Sequence, residues 1–213
     1  MRTEDLVAAL AAQSRAVPRG AVPRRIALAI AASGALTLAL VAAWLGLRPD
    51  LPQAVGGFPF WMKWGYTISL GAIAVAAVAH LARPEVTDAR GLRWLAVPVG
   101  VLAVLAIVQL LATPPGDWTA LWQGRSWRVC SMKVATLSLP ILGGLMLAFR
   151  AFAPTRLRLT GAVAGLAAGA CAATLYGLHC PEVSALFILV WYSLGILAAA
   201  AVGALIGPRL LRW

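Results

Sequence analysis

Acidic residues are what this 213-residue chain has least of: seven Asp and Glu stand against 18 Lys and Arg, a formal net charge of +11. None of the seven falls inside a long apolar run. A carboxylate at membrane depth is costly and kept for ion or proton handling, so this absence argues against a proton-coupled transporter. Cysteine is scarce too, three residues with no CxxC and no zinc-ribbon spacing, which leaves no paired dithiols for an electron relay. No enzyme motif occurs. The apolar-polar alternation of a transmembrane β-barrel is also missing.

What the chain does have is hydrocarbon. Hydrophobic residues make up 62% of it and its mean hydropathy is +0.86, more than a soluble core needs. Six runs, at 26–47, 64–81, 94–112, 134–149, 159–178 and 183–206, carry no charge, and each is near the ~20 residues that an α-helix needs to cross ~30 Å of hydrocarbon. Only helices satisfy their own backbone in lipid. The pattern therefore predicts an all-α membrane protein, a bundle of six transmembrane helices (26–213) behind a short N-terminal tail (1–25) with a helix of its own. A mixed-charge tail before a first run this long is unlike a cleaved signal peptide.

Basic residues set the orientation. Arg2, Arg15, Arg19, Arg24 and Arg25 in the tail, Arg83, Arg90, Arg93, Arg150, Arg156 and Arg158 in alternate connections, and Arg209 and Arg212 at the C-terminus place 13 on one side. Arg48, Lys63, Arg125, Arg128 and Lys133 place five on the other. Cationic loops resist translocation, so the richer side is expected in the cytoplasm with both termini, in a multi-pass bacterial inner-membrane protein. The same rule reads the positive charge as a topology signal, not as a nucleic-acid surface. Trp44, Phe58, Phe60, Trp61, Trp64, Trp118, Trp122 and Trp127 gather toward the other side, as an interfacial aromatic belt does. Gly161, Gly165 and Gly169, with Gly195, Gly203 and Gly207, predict close packing of the last two helices, within one chain or across a dimer.

Two cysteines reach the outer boundary in this frame. Cys130 precedes the fourth run, and Cys180 sits in the link between the fifth and sixth, within His179-Cys180-Pro181-Glu182. Disulfides persist on that side. A constitutive disulfide, a redox switch and a site for a soft metal ion (Cu or Zn) all fit the pair, with His179 lowering the thiol pKa or acting as a third ligand and Glu182 or Met132 as weaker candidates. No cofactor is obligatory. Cys171 lies about 13 Å deeper on the fifth helix and reads as a packing residue, and His80 reads as a headgroup or capping residue. On the inner side Thr3 is placed to cap a helix holding Asp5, Leu6, Val7 and Leu10, and Pro18 and Pro23 are expected to end it before the membrane. So short a helix needs support. Its apolar stripe can lie on lipid or dock into a partner's groove.

Several motifs resemble one family along nearly the whole chain. They are Thr3-x-Asp5-Leu6 with Val17-Pro18, Leu47-Arg48-Pro49-Asp50, Ser126-Trp127-Arg128-Val129-Cys130, Leu139-Pro140, Ala153-Pro154-Thr155-Arg156, and Leu178-His179-Cys180-Pro181-Glu182 followed by Phe187 and Trp191-Tyr192. They resemble the NrsF-type membrane anti-sigma factors, negative regulators of sigma-F-like extracytoplasmic-function sigma factors. The resemblance implies a sigma factor held inactive at the cytoplasmic face and a signal received by Cys130 and Cys180. It carries no role over to Cys171. The competing class is a membrane thiol oxidoreductase, which needs a second dithiol or a quinone site where this chain has one boundary pair and no CxxC, or a small-solute or metal transporter, which needs polar groups at membrane depth that are scarce here.

Overall fold

The computed structural model describes residues 2–13, 20–81, 90–152 and 154–212. Among these every regular element is helical. Helix α1 (Thr3–Gln13) opens with Glu4 and Asp5 in its first turn, where carboxylates meet the positive end of the helix. Thr3 is already its first helical residue, one place past the expected cap, and the Asp5 carboxylate accepts from the Arg2 backbone N–H at 3.3 Å. Pro18 lies outside the described residues. Pro23 does not stop a helix: it stands in the first turn of α2 (Ala21–Leu40), where a missing N–H leaves no helical bond unmade.

After α2 the chain makes a π-helical turn (Val41–Leu45), a short α3 (Leu51–Val55), α4 (Phe58–Leu81), a 3-10 segment (Arg90–Leu95) feeding α5 (Ala96–Leu111), a small α6 (Trp118–Gln123) and α7 (Trp127–Phe149). Then come α8 (Leu157–Tyr176), the single turn α9 (Ala185–Phe187), a second π-helical turn (Ile188–Tyr192) and α10 (Ser193–Leu210). Six helical stretches are long and apolar enough to cross a membrane: Ala21–Leu45, Phe58–Leu81, Arg90–Leu111, Pro115–Phe149, Leu157–Tyr176 and Ala185–Leu210. They correspond one to one with the six apolar runs.

Their N-terminal ends differ. α2 takes in Arg24 and Arg25, α4 begins six residues early and takes in Lys63, and α7 takes in Arg128, Cys130 and Lys133. A run bounded by its first charge is too short, because a long cationic side chain can stay helical while its head reaches a polar site. Cys130 is thus a helical residue of α7, not part of the segment before it.

Helix α8 forms the centre, with α10, α4 and α7 around it. Its seam with α10 is made of glycine: a Cβ on Gly161 would run into the Gly203 carbonyl, and one on Gly165 into the Ala199 carbonyl. This is the close backbone approach that small residues permit in lipid, and it lies within the chain. Helix α2 rests on α7, where the buried Thr37 hydroxyl donates to Ser33 and Leu137 carbonyls, close to Pro140 of α7. Helix α5 is peripheral and leaves Val97, Val101, Val104, Ile107 and Val108 exposed. At one end of the bundle, where α7 and α10 finish, Arg150 Nε donates to the Leu210 carbonyl at 3.0 Å and Arg25 lies 5.9 Å from the centre of the Phe152 ring. The opposite end holds the cysteines.

Candidate thiol site

Helix α8 ends at Tyr176, and the 177–184 link folds back so that the Cys180 N–H still bonds to the Tyr176 carbonyl at 3.0 Å. This brings Cys180 to the first turn of α7 and to Cys130. Both cysteines are free and fully buried, with their thiols within hydrogen-bonding reach of each other. Tyr176 and Tyr192, themselves buried and 5.8 Å apart between ring centres, flank the pair. The π-helical turn at 188–192 brings Tyr192 here, an example of a π-turn shaping a site.

The link is held by cations. Lys63, buried in the second turn of α4, donates from Nζ to the Cys180 carbonyl at 2.8 Å and sits 5.8 Å from the centre of the Tyr192 ring. Arg48 donates from Nη1 to the same carbonyl at 3.4 Å and from its backbone N–H to the Leu178 carbonyl at 3.1 Å. Its guanidinium also clasps Asp50 at 2.6 Å, which holds the Asp50 carboxyl at about 2. The hydrogen bond from the Cys130 thiol, and after it the Lys63 ammonium, draw the Cys180 thiol down to about 5 against the opposing effect of burial. The sequence pointed to His179 as the activating group. The groups that act on the Cys180 thiol here are the Cys130 thiol and then Lys63, and His179 is not among them.

His179 is engaged elsewhere. Its Nδ1 lies 2.9 Å from the Gly46 carbonyl, which can only accept, so Nδ1 carries the proton and Nε2 accepts from Lys133 Nζ at 3.4 Å. The ring thereby pins the residue just after the π-helical turn at 41–45 to the link; Gly46 has φ +76°, a conformation that a side chain would strain. Glu182 also has a structural partner. Its carboxylate accepts from the Arg125 and Ser126 N–H groups at 2.8 and 3.1 Å and from the Ser126 hydroxyl at 3.1 Å, capping α7 from a distant link. Gly124, at φ +54°, makes room: a Cβ there would sit 2.5 Å from the Glu182 Oε2.

Met132 is 71% exposed, away from the buried thiols. Among the described residues no group of three His, Cys, Asp or Glu side chains is placed to hold a metal ion. Cys171 is half-buried on α8, beside Gly71 of α4. On α1, Asp5 and Val7 are exposed, and the side chains of Leu6 and Leu10 lie outside the described residues. Phe60, expected in the aromatic belt, is buried with its ring centre 4.9 Å from that of Trp64.

Residues 10–213 match the model of a protein family described as negative regulator of sigma F, NrsF. The chain belongs to the NrsF family. It is 45% identical to the anti-sigma-F factor NrsF of Caulobacter vibrioides and 40% identical to the probable anti-sigma-F factor NrsF of Azospira oryzae, each alignment covering 100% of both chains. No solved structure matches it. The family resemblance read from the motifs is borne out. NrsF proteins are regulators rather than enzymes, so the thiols are to be read as parts of a negative regulator of a sigma factor. The residues of this NrsF chain whose place at the thiols the sequence does not report are Lys63, read only as a charge that sets orientation, Tyr192, present only within the Trp191-Tyr192 motif, and Tyr176. The one available signal was Lys63 itself, a lone charge inside the apolar, aromatic stretch from Phe58 to Trp64, where a buried cation needs a specific partner.

Proposed function

We propose that this protein is an inner-membrane anti-sigma factor that crosses the bilayer six times with both termini in the cytoplasm. It retains a sigma factor of the extracytoplasmic-function class and releases it when Cys130 and Cys180 meet an oxidant or a soft metal ion in the periplasm. The observation that carries this reading is the burial of the two thiols against each other, one on the first turn of α7 and the other on the link from α8 to α9. A bond between the sulfurs, or an ion bridging them, changes how those helices meet, and such a change shifts an equilibrium by its differential affinity for the two states. The 13-to-5 division of basic residues supports the orientation. The cysteine end is then periplasmic, and the end carrying Arg25, Arg150 and Leu210 faces the sigma factor.

The test is retention of the sigma factor. Membranes are solubilised before and after periplasmic oxidant or metal stress, and the sigma factor bound to the tagged protein is quantified. Cys130→Ser and Cys180→Ser should each retain the sigma factor under stress, whereas Cys171→Ser should release it as the natural chain does. A double Cys130/Cys180 serine variant that releases normally would falsify the sensor reading.

A further inference from the structure

Because Cys130 and Cys180 are fully buried, a reagent that reads them has to pass through protein. A cavity of about 90 Å³ opens between α3, the start of α4 and the 177–184 link, lined by Arg48, Ala54, Phe60, Lys63 and Glu182 among others. Two of these, Arg48 and Lys63, bond to the carbonyl of Cys180. We infer that this cavity is the access port to the thiol pair and that it admits a small neutral hydroperoxide, hydrogen peroxide being the simplest.

Size and charge both select. One water needs roughly 10–15 Å³ of such space, so the port takes about six to nine water-sized molecules and excludes a peptide thiol or disulfide reagent. Its charges cancel: Arg48 is paired with Asp50, and Lys63 shares the wall with the Glu182 carboxylate. A neutral solute therefore crosses at lower cost than an ion. Donors on Arg48 and Lys63 and acceptors on Glu182 match a molecule that both donates and accepts hydrogen bonds.

The chemistry closes without a further reactant. The Cys180 sulfur takes one peroxide oxygen as the O–O bond breaks, giving a sulfenic acid and one water. The Cys130 sulfur then displaces the hydroxyl from Cys180, forming the S–S bond, and the hydroxyl leaves as a second water with the Cys130 proton. Two thiols lose two electrons and two protons, and the peroxide gains both.

This inference rests on the pair being the sensor, but its test does not involve the sigma factor. Free thiols are counted by mass shift in the purified full-length protein in lipid nanodiscs after timed exposure to hydrogen peroxide. Ala54→Phe, on the peripheral α3, should slow loss of the Cys130 and Cys180 thiols by at least about tenfold, a barrier change of ~1.4 kcal/mol. Gln53→Phe, which adds the same bulk at an exposed position, should leave the rate unchanged. Cumene hydroperoxide should discriminate in the same sense, reacting slowly with the folded chain and readily with the chain unfolded in detergent. Oxidation of Ala54→Phe at the natural rate, or equal reaction of the folded protein with both peroxides, would overturn the port. Sigma release is measured separately, so an intact port with unaltered release would count against the sensor and not against the port.

Discussion

The Lys63 ammonium of α4 donates to the carbonyl oxygen of Cys180 across 2.8 Å, and no carboxylate lies within ion-pair distance of it among the described residues. A buried cation in this position favours a negative charge on the neighbouring sulfur. With its pKa lowered to about 5, Cys180 holds its charge well below the ordinary thiol range near ~8.5. The stabilisation that this gives the fold is complete above that range and is lost as pH falls through about 5. Ultraviolet thiolate absorbance, taken as the difference between the natural chain and Cys180→Ser, should therefore persist at neutral pH. Lys63→Met should move the transition upward, Lys63→Arg should largely restore it, and Cys130→Ala should move it furthest, since the Cys130 thiol is the largest cause. An unmoved transition in both Lys63→Met and Cys130→Ala would remove the electrostatic account.

The seam between α8 and α10 gives a sharper stability test. Gly165→Val should destabilise the folded chain by about 1–3 kcal/mol or more, the usual range for overpacking, because its Cβ meets the Ala199 carbonyl rather than a movable side chain. Gly143→Ala, with nothing within 4 Å of the added carbon, should be neutral or slightly stabilising, since alanine is the better helix former. Unfolding in mixed detergent micelles would read both.

That seam was legible in the sequence because spacing alone reports which glycines share a helix face, and the six helices were legible because each contains an uncharged apolar run near the ~20 residues that a hydrocarbon crossing would need. The thiol site was only half legible. Cys130 and Cys180 could be placed at one end of the bundle, but their burial depends on how the 177–184 link folds back, which no local pattern encodes. His179 stands next to Cys180 in the chain, which suggests it as the partner, yet the ring is turned to Gly46 and Lys133. Lys63 is 117 positions from Cys180, and a hydropathy run that ends at the first charge leaves it outside the helix that carries it.

Glu182 joins the link to α7, so removing its carboxylate should loosen Cys130 without touching either sulfur. Glu182→Ala leaves the Arg125 and Ser126 N–H groups without their acceptor. Hydrogen bonds to a charged group contribute about 1.5–3 kcal/mol, and hydrogen exchange at the first turn of α7 should quicken accordingly. Glu182→Gln keeps an acceptor oxygen and should fall between. Unchanged exchange in Glu182→Ala would show that α7 is capped by other means.

Topology follows from the basic residues and can be read by reporter fusions. Fusions at residues 2, 88, 155 and 213 should report cytoplasm, and fusions near 54, 120 and 182 should report periplasm. Position 54 matters most, because it lines the cavity walled by Arg48 and Lys63, the two cations that bond to the Cys180 carbonyl. A cytoplasmic signal there would invert the bundle and put the cysteines beyond the reach of periplasmic oxidants.

The last prediction concerns the tail. Helix α1 exposes Asp5 and Val7, and at 11 residues it is shorter than the ~12–15 residues at which an isolated helix becomes even marginal in water. Such a helix is stabilised by docking, and the partner on its side of the membrane in this reading is the sigma factor. Deleting residues 1–19 removes α1 but leaves every apolar span whole, since the first begins at Ala21. The truncated protein should insert normally and lose the sigma factor on co-purification. Asp5→Lys and Val7→Asp should weaken retention in the full-length chain, while an exposed change such as Gln53→Ser, on α3 at the cysteine end, should not. If the truncated protein holds the sigma factor as firmly as the whole one, the binding surface lies instead on the connections at 83–93 and 150–158, and their arginines become the residues to reverse.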